Sequence, residues 1–352
     1  KAGAANRDFI LRYRLDGAQV QSGLMRFEDE DEKFFLLMVQ PPKRVAVKQI
    51  PPREYVFVVD VSGSMKGWPL NLSKRLLKDL IGGLRPTDTF NVVLFAASSQ
   101  VLSASPLPAT QKNIDRALSL LNRQGGGGGT KLAAGLERAL ELPRGKGLSR
   151  NVIVITDGYM TADTEVFRLI HDNLQSANVF AFGIGTSVNR YLVEGMARAG
   201  HGEPFVVTSE SEAAAVSNRF QRYVQTPVLT DVKVTPAGGF ATYDVEPHAV
   251  PDLLAERPLI LCGKYEGSPE GTIQVTGHTG AGPWSHTIRV ADTKSDPSNH
   301  ALRYLWARTR IAALSGWNFG NPDEEHVREV TSLGITYNLL TRYTSFLSLI
   351  HI

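Results

Sequence analysis

One carboxylate and two hydroxyls stand at alternate positions in Asp60-Val61-Ser62-Gly63-Ser64, where the apolar run 55–61 (YVFVVDV) ends. Three side-chain oxygens at spacing two, in a loop turned by Gly63, can converge on one hard cation, and the hydroxyls add lone pairs without adding charge. Two more oxygens of the same kind follow. Thr130 comes directly after the glycine run 125–129 and opens a helical pattern, and Asp157 closes the apolar run 152–156 (VIVIT). Asp, Ser and Gly are also default turn residues, so the first triplet alone reads as an ordinary turn. All five at strand ends read as a metal site, with Mg²⁺ as the expected ion and Mn²⁺ or Ca²⁺ as alternatives. Trp68, just past the first loop, and Tyr159, just past Asp157, either line a binding face or pack against the core.

Such a set works only if its loops share one edge, and the surrounding pattern predicts that they do. From residue 54 to about 225, short apolar β-branched runs alternate with helical-period segments, the signature of strand–helix units on a parallel sheet. Strands are expected at 55–61, 90–95, 152–156, 179–184 and 204–207, nearly continuous apolar runs of the kind covered on both faces. The run 100–103 follows the second strand too closely for a crossover helix and is expected to pair antiparallel as an edge. Leucine-rich stripes at helical spacing lie between them, with further helices expected at 163–175, 189–199 and 211–223. This is a doubly wound α/β domain, and open sheets of that class bind ligands past the carboxyl ends of their strands.

The flanks differ. Segments 8–15, 20–27 and 33–39 before the domain, and 228–235, 239–245, 257–263, 271–277 and 285–291 after it, are short strands broken by Gly and Pro turns, an antiparallel sandwich pattern. One discontinuous sandwich interrupted by the α/β domain accounts for both. The expected division is 1–45 and 226–298 for the sandwich, 46–225 for the inserted domain, and 299–352 for C-terminal helices and a terminal strand.

Composition excludes several classes of function. The 352 residues carry a formal net charge of only +3, with Lys and Arg scattered rather than clustered, so no nucleic-acid surface is expected. Cys262 is the only cysteine and sits in an apolar run, which makes it a buried small hydrophobe and leaves no internal disulfide. No apolar run reaches the roughly 20 residues that span a bilayer. The eight histidines show no paired-ligand spacing, so zinc is not expected. Gly183-Ile184-Gly185 lacks the third glycine of a dinucleotide fingerprint, and the acidic run 28–32 (EDEDE) reads as a solvated hairpin tip. Ser62 and Ser64 have no nucleophile elbow or evident His partner, so no serine chemistry is expected.

The order Asp-x-Ser-x-Ser, then Thr, then Asp resembles the metal-ion-dependent adhesion site of von Willebrand factor A domains. The resemblance extends outward. Residues 7–12 (RDFILR), 305–308 (LWAR) and 340–346 (LTRYTSF) are similar to phrases of the inter-alpha-trypsin inhibitor heavy chains and their bacterial relatives, in which a VIT domain precedes the A domain. That resemblance implies a non-enzymatic module whose metal binds an Asp or Glu of a protein or extracellular-matrix ligand, with the hydroxyls as direct ligands and the acids acting partly through water. It also implies an extracellular, cell-surface or periplasmic place, although the cytoplasm stays open. The alternative is a structural or assembly module in which the metal only stabilises the loop edge. Two departures matter. The acidic motif through which animal heavy chains become linked to polysaccharide is absent, so hyaluronan transfer is not carried over, and the missing VIT domain fits a fragment that starts just after it.

Overall fold

A computed structural model of the chain describes residues 20–42, 50–145, 148–158, 164–224, 227–255, 257–316 and 324–346. The chain enters through β1 (Gln21–Glu28) and β2 (Lys33–Gln40), an antiparallel hairpin whose acidic tip is closed by a 2.8 Å bond from Asp29 N–H to the Glu32 carbonyl. The expected strand at 8–15 lies outside the described residues.

The α/β unit follows as β3 (Arg53–Asp60), α1 (Trp68–Gly82), β4 (Thr89–Phe95), β5 (Ser99–Val101), β6 (Leu107–Pro108), α2 (Gln111–Asn122), α3 (Leu132–Leu140), β7 (Ser149–Thr156), α4 (Thr164–Asp172), β8 (Asn178–Ile184), α5 (Arg190–Ala199), β9 (Pro204–Val207) and α6 (Glu210–Val224). Its sheet runs β5-β4-β3-β7-β8-β9, with β3, β4, β7, β8 and β9 parallel. β5 and the unforeseen two-residue β6 both pair antiparallel with β4. The chain steps from β3 outward to β4, then returns to lay β7 on the other side of β3. The order therefore reverses beside β3, where open α/β sheets form their ligand crevice.

Alternation along β3 shows why both faces are apolar. Tyr55, Phe57 and Val59 pack with α1, α2 and α6, whereas Val56 and Val58 pack with α3, α4 and α5. Each such side chain, taken fully out of water, contributes about 1.5–3 kcal/mol. The parallel strands begin one to three residues earlier than their apolar runs, at Arg53, Ser149 and Asn178, and these first residues are buried and polar.

After the α/β unit come β10 (Pro227–Ala237), β11 (Ala241–Glu246), β12 (Leu253–Leu254), β13 (Leu259–Glu266), β14 (Thr272–Thr279) and β15 (Gly282–Arg289). One sheet is ordered β1-β2-β13-β11 and the other β12-β10-β14-β15. β2, from before the α/β unit, pairs antiparallel with β13, from after it, in the register Leu259↔Val39 to Lys264↔Phe34. Leu37, Val39, Leu261, Ile273 and Val275 fill the space between the sheets.

The outer face of the first sheet is covered too. α7 (Ala301–Gly316) and α8 (Glu324–Thr336) bring Trp306 and Tyr337 onto Phe34, Leu36 and Met38. Lys264 locks this layer, with its Nζ 4.1 Å from the centroid of the Trp306 ring and 2.7 Å from Glu32 Oε1. Burial on both faces is why β2 reads KFFLLMV without alternation although it is antiparallel. Cys262 lies in the same layer, where burial pushes its thiol up to about 11, in keeping with an inert hydrophobe. The terminal strand is not found in the described residues. Asn338, at φ 49°, ends α8, and the chain folds back into a turn closed by a Thr341↔Thr344 bridge, with the Thr344 hydroxyl donating to the Leu339 carbonyl at 3.0 Å.

Candidate metal centre

β3 delivers Asp60 to the carboxyl end of the sheet, and the chain leaves that edge still pinned to β4 by a 2.9 Å bond from Val61 N–H to the Phe95 carbonyl. The Ser62 and Gly63 carbonyls then accept from Met65 and Lys66, each at 3.2 Å, which folds 62–66 into a tight turn over the edge. Gly67, at φ 85°, swings the chain into α1. The spacing-two triplet is thus held at both ends by regular structure.

Within the turn, Asp60 and Ser62 are fully buried and Ser64 is exposed. Asp60 Oδ1 accepts the Ser62 N–H at 2.9 Å and Oδ2 accepts the Thr156 hydroxyl at 2.6 Å. Thr156 is the last residue of β7, and its hydroxyl in turn accepts the Gly158 N–H at 2.9 Å. One carboxylate therefore ties the β3 loop to the β7 loop and brings Asp157, 8% exposed, to the same place. Burial holds the Asp60 carboxyl above the usual carboxylate range. The bonds from Ser62 and Thr156 pull it back, and the negative charge of Asp157 adds to the rise. The Ser62 and Ser64 hydroxyl oxygens lie 3.2 Å apart.

The glycine run sets the position of Thr130. Gly63 N–H donates to the Gly128 carbonyl and Gly127 N–H to the Val61 carbonyl, both at 3.1 Å, so the two loops are laced backbone to backbone. A Cβ on Gly126, whose φ is 78°, would stand 2.8 Å from the Lys66 Cα. Only glycine permits that approach. Thr130 follows, half-buried, and the next residue, Lys131, donates its N–H to the Ala96 carbonyl at 3.0 Å before α3 begins at Leu132. The structure joins Asp60, Ser62, Ser64 and Asp157 through side-chain bonds and charge, and it places Thr130 beside them through its loop.

Trp68 is the half-buried first residue of α1 and packs against the core under that helix, while Tyr159 lies outside the described residues. Thr156 was legible only as the polar end of an apolar run, and its role as a bridge between loops had no signal in residue spacing. Among the described residues no group of three or more His, Cys, Asp or Glu side chains is arranged for a metal. The candidate centre is built instead from two acids and three hydroxyls. An all-oxygen set with a desolvated carboxylate beside a second acid fits a hard divalent ion.

Comparison with known proteins agrees with this architecture. Residues 53–204, which contain all five oxygen donors, match the model of the von Willebrand factor type A domain. A von Willebrand factor A domain-containing protein of Dictyostelium discoideum is 26% identical over 97% of this chain, and the chain covers 17% of its length. The inter-alpha-trypsin inhibitor heavy chain H6 of Homo sapiens is 24% identical over 96% of the chain, which covers 28% of it. The chain thus spans under a third of these relatives. A solved structure described as von Willebrand factor type A from Catenulispora acidiphila superposes with a TM-score of 0.59 at 14% identity, covering 93% of this chain and 89% of that one. The ArnB paralog VWA2 from Sulfolobus acidocaldarius gives 0.57 at 15% identity, covering 91% and 90%. In both, the shared fold reaches beyond the parallel sheet into the flanking strands and helices. Between residues 53 and 204 the chain is a von Willebrand factor type A domain, of the family of protein-interaction and adhesion modules.

Proposed function

We propose that the loop edge holds a divalent cation, Mg²⁺ foremost, through Asp60, Ser62, Ser64, Thr130 and Asp157, and that an Asp or Glu of a protein or matrix ligand completes the coordination. One observation carries this reading: among the described residues the buried Asp60 carboxylate is held by neutral donors, beside a second acid, at the switch point of the sheet. A bound divalent ion would supply a Lewis-acid position for an oxygen anion. The residues sort by depth. The acids and Ser62 lie at the floor and Ser64 at the surface, so the open side of the centre is a hydroxyl side with little negative charge to repel an acidic ligand. The arrangement of the described residues offers a binding site, and the proposed activity is non-enzymatic, in an extracellular, cell-surface or periplasmic setting.

Water-proton relaxation with Mn²⁺ tests this. Adding the chain to Mn²⁺ should enhance relaxation, and a short peptide containing Asp should reduce the enhancement by displacing bound water, whereas its Asn counterpart should not. No enhancement would sink the metal assignment. Enhancement insensitive to the Asp peptide would favour an ion that only stabilises the loop edge.

A further inference from the structure

A cleft lies where the A domain meets the C-terminal helices, and none of the five oxygen donors lines it. It measures about 340 Å³ and opens between α4 and α5 on one side and α7 on the other. Its walls are mainly apolar. Phe167 and Tyr191 meet edge to face at 6.2 Å, and Ala199 and Ala312 leave the slot open between α5 and α7. Small residues on facing helices make this space. Gly195 of α5 lets the Phe167 ring lie against the helix backbone, since a Cβ there would stand 2.5 Å from Phe167 Cζ.

The polar groups of the lining are unequal in sign. Arg198 comes from α5 and Arg308 from α7, both exposed, and among the described residues neither forms an ion pair with a carboxylate. The carboxylate in the same wall, Glu246, is buried and already held by Arg310 at 2.8 Å, so it adds no free negative charge. Two unpaired guanidinium groups over an apolar slot are complementary to a ligand with one anionic end and an apolar body. The volume falls within the ordinary range for small-molecule sites.

We propose that this cleft binds a small amphiphilic monocarboxylate, its apolar body between Phe167, Tyr191 and Ala312 and its carboxylate at Arg198 and Arg308. The site joins the A domain to α7, so its ligand clamps the two units together. It owes nothing to the metal centre and is tested in EDTA.

The experiment is a calorimetric titration of the full chain with octanoate, with octanol as the uncharged probe of equal length. Octanoate should bind at one equivalent and octanol at least tenfold more weakly. Arg198→Gln and Arg308→Gln should each weaken octanoate about tenfold, as loss of one charge-assisted contact implies, without weakening octanol. Ala312→Trp, at an exposed position of the lining, should abolish binding of both by filling the slot. Absence of octanoate binding, equal affinity for the two probes, or unchanged binding in Ala312→Trp would each overturn the proposal.

Discussion

The two ends of the parallel sheet treat buried charge in opposite ways. At the amino end, Glu54 of β3 and Arg150 of β7 are nearly inaccessible and meet in a two-pronged ion pair at 2.8 and 3.1 Å, with Arg150 also donating to the Leu142 carbonyl at 2.9 Å. Arg53 is held by Asp88, at 3.0 Å for its Nε. The sandwich docks on this end through Asp252, which accepts from Ser149 at 2.7 Å and Asn178 at 2.9 Å, and through Arg257, which donates to Asn178 at 3.1 Å and to the His201 carbonyl at 2.9 Å. At the carboxyl end, Asp60 is equally buried, and its hydrogen-bond partners among the described residues are neutral: the Ser62 amide and hydroxyl and the Thr156 hydroxyl. Matched charge makes a joint. Asp252 also accepts from neutral groups, but the charges of Arg144 and Arg257 favour its ionised form, whereas the charge beside Asp60 is a second acid, Asp157; this contrast separates the docked edge of the domain from the edge proposed to hold a cation.

Substitution should break the contrast first at the matched end. Glu54→Ala leaves Arg150 buried without its partner and should lower unfolding free energy by about 3–5 kcal/mol in chemical denaturation. A loss below about 1 kcal/mol would mean that the pair contributes little and that the comparison is empty. The docking contacts should matter less than the fold itself. The segment 46–225 produced alone is expected to stay folded, because the apolar layers on both faces of its sheet are mostly its own. It should nevertheless melt below the full chain, since Leu254, Asp252 and Arg257 are then missing from its amino end. Near-ultraviolet circular dichroism showing no fixed tertiary structure in that segment would refute its independence.

At the other end the effect should depend on metal. With Mg²⁺ at a hundred times its dissociation constant, binding should raise stability by about 2.7 kcal/mol, and Asp60→Ala should remove that increment while costing far less in EDTA. The pH dependence follows from the direction of the Asp60 shift. A carboxyl held above its unfolded value retains its proton more tightly in the folded chain. Its contribution to metal-free stability therefore rises as pH falls through the folded value and is complete below the unfolded one. Metal competes with that proton, so Mg²⁺ affinity should fall over the same window, and Asp60→Asn should abolish both trends. Thermal denaturation across pH with and without Mg²⁺ checks them, and a wild-type affinity indifferent to acid would place the metal elsewhere.

Much of the sheet was legible because apolar runs announce strands covered on both faces, and the gathering of Asp60, Ser62, Ser64 and Asp157 because they follow the ends of two such runs. The strand starts were not legible. Arg53, Ser149 and Asn178 are polar, and they look like loop until the ion pairs and the sandwich that bury them are known. β12 was missed for a related reason. Leu253 and Leu254 are too short a run to signal a strand, yet both are fully buried where the sandwich meets the domain. The covering of β2 by α7 and α8 was hidden as well, since an uninterrupted apolar run says that both faces are buried without saying by what. The candidate metal loops were read from side chains, whereas the contact that brings the Thr130 loop to them is made by glycine backbone and left only the run of five glycines as a trace.

That backbone contact also yields the smallest and most selective expected effect. Thr130 is half-buried and is positioned by its loop, so losing its hydroxyl should leave the fold intact and the acid floor of Asp60 and Asp157 in place. Metal affinity of Thr130→Ala should therefore fall only slightly. If an acidic ligand group completes the coordination, the hydroxyl should matter more once that group arrives, because a ligand carboxylate approaches from the exposed side where Ser64 stands. Affinity for an Asp-containing peptide in Mg²⁺ should then fall about tenfold, roughly 1.4 kcal/mol, more than metal affinity falls. Paired titrations, metal first and peptide second, read the two losses separately. Equal losses would make Thr130 a plain metal ligand, and an unchanged peptide affinity would turn the carboxyl end of the sheet into a second structural edge.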